Sequence, residues 1–110
     1  MRRFALILAL VPGSLAAEEF RILSGDDILA ALTDRKLAYE GGATQTFESS
    51  MQTHYFSNGP STGTWAVRGD QYCSVWPPSD IWACYNIEQK GDVIRFIGAG
   101  GDLTDGTYVE

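Results

Sequence analysis

The sequence predicts a mainly β domain, an antiparallel meander with one short N-terminal helix. Three observations predict it. After Lys36 the apolar residues recur every second position. Turn signals of only a few residues separate the runs, which dictates antiparallel neighbours. Three separate turns then give registers that agree on a single apolar face.

The chain opens with an export signal over residues 1–17. Arg2 and Arg3 supply the positive start, Phe4 to Val11 the apolar stretch, and Pro12-Gly13 a helix break before Ser14-Leu15-Ala16. Eight apolar residues are too few for a bilayer span, which needs about 20. Cleavage after Ala16 or Ala17 is expected, leaving one β-rich domain over residues 18–110 in the periplasm.

The helix comes next. Ser24 is its N-cap, Asp27 completes a capping box, and Asp26-Asp27 suit the positive end of the helix dipole. Ile28, Leu29 and Leu32 mark its apolar stripe, and Arg35-Lys36 complement its C-terminal end. The predicted strands are 37–40, 43–48, 51–56, 63–68, 71–76, 81–89, 93–98 and 107–109. Gly41-Gly42, Glu48–Ser50, Asn58-Gly59-Pro60, Gly69-Asp70, Lys90-Gly91 and the run 98–102 separate them.

A turn at Gly69-Asp70 pairs Val67 with Tyr72 and Trp65 with Ser74. A four-residue loop Pro77-Pro78-Ser79-Asp80 pairs Trp76 with Ile81, Val75 with Trp82, and Cys73 with Cys84. A turn at Lys90-Gly91 pairs Ile87 with Ile94 and Tyr85 with Phe96. Trp65, Val67, Tyr72, Trp76, Ile81, Ala83, Tyr85, Ile87, Ile94 and Phe96 then share one face. The other face carries the disulfide, Val75, Trp82 and Ile97 among polar neighbours.

Cys73 and Cys84 fall directly opposite each other, where close Cβ atoms suit a disulfide. Two cysteines in an oxidising compartment read as a structural pair rather than as metal ligands. Closing a loop of about 12 residues is worth about 3 kcal/mol, or less in a hairpin that is already local. Val75, Pro77, Pro78, Ser79, Asp80 and Trp82 form the candidate binding surface: a rigid loop beside an aromatic.

Charge excludes some partners. Without the export signal, six basic residues stand against fourteen acidic ones, a net charge of −8. That argues against nucleic acid and against anionic lipid. The catalytic inventory is thin. His54 is the single histidine, no acid is placed in sequence to orient it, and no serine sits on a strand-to-helix elbow. One histidine and two paired cysteines cannot make a zinc site. The run 98–106, GAGGDLTDG, is a single glycine- and aspartate-rich copy, whereas calcium repeats stack several. No catalytic residue, metal or cofactor is expected.

The segments LSGDDILAALTDR (23–35), GTWAVRGDQYCSVWPPSDIWACYNIEQKGDVIRFIGAGG (63–101) and GTYV (106–109) together resemble a family of short exported bacterial proteins of unknown function. The Y-C-S-x-W-P-P-S-x-x-W-x-C-Y hairpin and the G-x-W strand at Gly63 are the most specific parts. The resemblance implies a half-barrel or a small lipocalin-like barrel, and it implies no activity.

The expected function is therefore a periplasmic, non-enzymatic binding or accessory protein, with a periplasmic protein as the candidate partner. Inhibition of a cell-wall lytic enzyme or protease is one alternative, and a structural envelope role without a ligand is another. The fold discriminates between them. A ligand cup needs inward positions too small to fill it, whereas Trp65, Trp76, Tyr85 and Phe96 are large enough to fill a small core.

Overall fold

The computed structural model describes residues 19–109, and the export signal expected over 1–17 lies outside them. A short strand β1 (Arg21–Ile22) leads into helix α1 (Gly25–Leu32). Eight strands follow: β2 (Arg35–Tyr39), β3 (Thr44–Phe47), β4 (Gln52–Phe56), β5 (Pro60–Arg68), β6 (Gln71–Val75), β7 (Ala83–Lys90), β8 (Val93–Ile97) and β9 (Leu103–Tyr108). Each pairs antiparallel with the next. The first and last also pair, Leu37 with Tyr108 and Tyr39 with Gly106, so the meander closes into an eight-stranded barrel. Among the described residues no helix is long and apolar enough to cross a membrane.

Closure removes the sheet edges, and β1 covers the one remaining gap. Strand β6 pairs only with Ala83, Cys84 and Tyr85 of β7. The far half of β7 takes β1 instead, Arg21 opposite Gln89 and Ile22 opposite Glu88.

Helix α1 starts as the sequence predicts. Ser24 accepts from the Asp27 N–H, and the Asp27 carboxylate accepts from the Ser24 N–H. Its buried stripe is Ile28, Ala31 and Leu32, while Leu29 is one-third exposed, because the spacing of three and four puts Ala31 on the core side. Arg35 and Lys36 do not complement the helix end. Asp34 takes φ +60°, the chain leaves the helix there, and both basic residues open β2. The helix is anchored by the Gly25 N–H donating to Asp70 (2.8 Å) and by Tyr108 Oη–H donating to the Ala31 carbonyl (2.7 Å). It plugs the lower end of the barrel, at the β3–β4, β5–β6 and β7–β8 turns.

Beneath the barrel's waist the interior is solid. Leu23, Ile28, Leu32, Leu37, Phe47, Trp65, Ile87 and Ile94 are all essentially inaccessible. Phe47 meets Trp65 and Tyr72 edge-on, at 5.7 and 5.8 Å between ring centroids, a preferred aromatic geometry. The Trp65 indole N–H donates to the Glu48 carbonyl at 3.0 Å, so burying it leaves no orphan donor.

The register at Gly69-Asp70 is the expected one. Two others differ. The β7–β8 turn is Gly91-Asp92, not Lys90-Gly91, so Ile87 faces Phe96 and Gln89 faces Ile94. Gly91 adopts φ +57°, which the first position of a two-residue hairpin turn demands and which a lysine resists. A shift of two keeps every side chain on its face, so the expected inner residues there stand.

The pairing of Trp76 with Ile81 and of Val75 with Trp82 does not form. The β6–β7 ladder stops at Ser74–Ala83, and Ile81 is 77% exposed rather than inside. Pro77 and Pro78 have no N–H for a ladder, and Val75 pairs with Thr64 on the other side. Strand β5 starts at Pro60, within the expected turn, and β9 at Leu103, within the glycine-rich run.

The disulfide joins Cys73 and Cys84 with Cα atoms 4.0 Å apart. It lies on the outer wall between β6 and β7, in the register expected from the hairpin.

Candidate functional site

Above the waist the barrel is an open cup. Its inward residues are Tyr39 on β2, Gln45 on β3, Tyr55 on β4, Ser61 and Gly63 on β5, Tyr72 and Ser74 on β6, Tyr85 on β7, Phe96 on β8 and Thr104 on β9, with Trp76 folded in from the end of β6. Eight strands enclose an interior that side chains can just fill or that can hold one small ligand. Here the lower half follows the first course and the upper half the second. Gly63 and Gly106 make room for the Trp76 and Tyr39 rings, and Ser74 and Thr104 are too small to complete the packing.

The depression at this end measures about 1330 Å³. That figure exceeds the interior itself, because the same hollow runs over the rim onto outward residues of β8 and β9, Arg95, Leu103 and Asp105 among them.

Two glycines shape the walls. A Cβ on Gly106 would stand 2.9 Å from the Tyr39 ring, and one on Gly63 would stand 2.8 Å from the Trp76 ring. Both rings therefore occupy space that a side chain would take. Rings continue around the wall at similar spacing: Tyr39 to Tyr55 6.1 Å, Tyr39 to Phe96 6.2 Å, Phe96 to Tyr85 6.1 Å and Tyr55 to Trp76 6.3 Å.

The floor is polar and hydrogen-bonded. Tyr39 Oη–H donates to Gln45 Oε1 (2.6 Å), and Gln45 Nε2 donates to Thr53 Oγ1 (2.8 Å) and to the Tyr72 phenol oxygen (3.3 Å). Thr53 Oγ1–H donates to the Thr46 carbonyl, and Trp76 Nε1–H donates to Ser74 Oγ (3.1 Å). Burial, and after it the neighbouring tyrosines, pushes the Tyr39 phenol far above the ordinary tyrosine range. Burial also raises Tyr72, against the lowering effect of its hydrogen bonds to Ser74 and Gln45. Both phenols stay protonated and serve as neutral hydrogen-bonding groups.

No inward residue of the cup is charged. Glu40, Arg95 and Asp105 border the hollow, but strand alternation turns all three outward. Arg95 and Asp105 form a two-pronged ion pair there, at 2.8 and 3.0 Å. The Arg95 guanidinium holds the Asp105 carboxyl below the usual aspartate range.

The residues expected to form a binding surface lie around the end of the β6–β7 hairpin. Pro77 borders the cup mouth, and Pro78, Ser79 and Asp80 are exposed beside it. Ser79 Oγ accepts from the Ile81 N–H at 3.1 Å and so holds the loop's own shape. Val75 and Trp82 lie half-buried on the outer wall, where the Arg68 guanidinium covers the Trp82 ring at 4.1 Å. Tyr39, Gln45 and Tyr55 of the cup had no place in the sequence reading of a site. Their signal was Gln45 itself, a polar residue in phase with Ala43 and Phe47 on a buried face.

His54 also differs from expectation. An acid does orient it: Nε2 lies 3.1 Å from Glu48 Oε2, and Nδ1 lies 3.0 Å from Thr62 Oγ1. The order hydroxyl, imidazole, carboxylate resembles a nucleophilic triad. The His54 and Glu48 side chains are 40% and 46% exposed on the outer wall, open to the water that such chemistry excludes. Ser50 donates to the same carboxylate, so the group ties down the β3–β4 turn. Among the described residues no cluster of three or more metal-ligating side chains occurs.

Fold and cup together define a closed eight-stranded meander barrel, plugged by a helix at one end and open at the other. No protein-family model, curated protein or solved structure matches the chain.

Proposed function

We propose that this chain is a non-enzymatic periplasmic binding protein that holds a small uncharged molecule in the open end of its barrel. One observation carries the reading: an aromatic-walled cup with a hydrogen-bonding floor and no inward charge. Pockets that hold small ligands combine apolar walls with a few placed polar groups in this way. A bound charge would find no counter-ion inside, and its desolvation would go uncompensated. The expected export signal and the disulfide support a periplasmic setting, in keeping with the resemblance to short exported bacterial proteins.

The test is titration with N-phenyl-1-naphthylamine, a neutral dye that brightens on leaving water. Saturable enhancement is expected with the intact protein. Thr104→Trp, which places an indole inside the cup from an exposed wall position, is expected to abolish it. Equal enhancement in both proteins would place the dye elsewhere and defeat the reading.

A second reading, inhibition of an envelope enzyme through the Pro77–Asp80 loop, draws on Ile81, which stands 77% exposed beside two prolines. An apolar residue displayed on a stiff loop can dock with little loss of entropy.

A further inference from the structure

The hydrogen-bond count of the floor specifies more than polarity. Five donor hydrogens are committed: one from Tyr39, two from the Gln45 amide, one from Thr53 and one from the Trp76 indole. Two remain, on the hydroxyls of Tyr72 and Ser74, residues that are 3% and 4% exposed. Among the described residues neither hydroxyl donates to a backbone carbonyl. They lie two apart on β6, on the same face. Even a bond between the two would use only one hydrogen, and the other has no protein acceptor among the described residues.

A buried donor without an acceptor is costly, so it selects what can sit above it. An anion would satisfy the hydrogen but would find no cation among the inward residues. A hydrocarbon would leave the hydrogen bare. The walls select as well, since rings spaced about 6 Å apart around the cup favour a flat partner that can stack or meet them edge-on.

We infer that the ligand is a neutral aromatic carbonyl compound, its carbonyl oxygen accepting from the Tyr72–Ser74 hydroxyl pair and its flat body lying among Tyr39, Tyr55, Trp76 and Tyr85. This inference rests on the binding reading above, and the test separates the two.

Three probes of nearly one shape suffice: 2-acetylnaphthalene, 2-isopropylnaphthalene and 2-naphthoate. Binding is followed by the NMR shift of the Trp76 indole N–H, with the buried Trp65 N–H as a check on folding. The acetyl compound is expected to bind up to about tenfold more tightly than the isopropyl one, the advantage of one made hydrogen bond, with naphthoate weakest. In Tyr72→Phe, which keeps Ser74 as the acceptor of the Trp76 indole N–H, the affinities of the acetyl and isopropyl compounds should draw together. Equal binding of those two by the unaltered protein would overturn the carbonyl assignment and leave the cup reading standing. Tightest binding by naphthoate would overturn neutrality. If no probe moves Trp76 while Trp65 reports a folded protein, the cup reading fails and this inference fails with it.

Discussion

The indole of Trp76 rests on the bare backbone of Gly63: a Cβ there would stand 2.8 Å from the ring and 2.6 Å from the Val75 carbonyl oxygen. This single vacancy lets Trp76 leave the β6–β7 ladder and fold over the cup. Gly63→Ala is expected to destabilise by about 1–3 kcal/mol, the range for an overfilled interior, and to shift the Trp76 indole resonance. Trp76→Leu in the same chain should recover part of the loss in a denaturant melt, because the clash with the Val75 carbonyl persists. No recovery would mean that the ring does not lie on Gly63.

Trp65 and Trp82 should behave in opposite ways. Trp65 is inaccessible, packed against Phe47 and Tyr72, so Trp65→Ala should cost about 3–5 kcal/mol. Trp82 is half-buried under Arg68 on the outer wall, and its truncation should cost clearly less. Denaturant melts of the two variants decide the order.

The Cys73–Cys84 bridge should appear as a loss of two hydrogens in the intact mass of the non-reduced protein. Replacing both cysteines should cost no more than about 3 kcal/mol, since the bridge closes a hairpin that already holds its ends together. A bridge between two molecules would contradict the β6–β7 register.

Stability should depend on pH at both extremes. The folded Asp105 carboxyl is held below its ordinary range by Arg95, so its contribution is present above the unfolded aspartate value and lost as acid titrates the folded group. Carboxyl NMR should show Asp105 titrating low, and Arg95→Gln should return it towards the ordinary range. Tyr39 has the opposite sign. Its folded phenol is raised, so its contribution is complete below the unfolded tyrosine value and declines as pH rises above it, where only the unfolded chain ionises. Tyr39→Phe should therefore make stability fall less steeply with pH on the alkaline side, followed by denaturant melts at increasing pH.

The Pro77–Asp80 loop offers the test of the protein-partner alternative. Ile81→Ser removes the exposed apolar residue and should leave the melt nearly unchanged, as surface substitutions do. If an envelope hydrolase is inhibited by the intact protein, the variant should lose that inhibition. Inhibition unchanged in Ile81→Ser would exclude the loop as the contact.

Much of this architecture is written in local chemistry. The Ser24–Asp27 capping box starts a helix wherever it stands, and Gly69-Asp70 turns a strand back on itself at a fixed register. The spacing of Cys73 and Cys84 around the Pro77-Pro78 loop places the disulfide. Period-two alternation assigns Trp65, Tyr72, Ile87, Ile94 and Phe96 to one face, and a two-residue shift at Gly91-Asp92 leaves that assignment intact. Closure could not be read this way. It depends on β2 meeting β9 across the whole chain, Leu37 against Tyr108, and no turn residue encodes a pairing between distant strands. The cup has the same origin. Alternation says which residues point inward but not which of them meet, so Trp76 and Tyr85 looked like filling for a small core. Only when eight strands surround a common axis do Ser74 and Thr104 leave open volume, with Trp76 and Tyr39 laid over Gly63 and Gly106. Then Tyr39, Gln45 and Tyr72, from three strands, share one hydrogen-bonded floor.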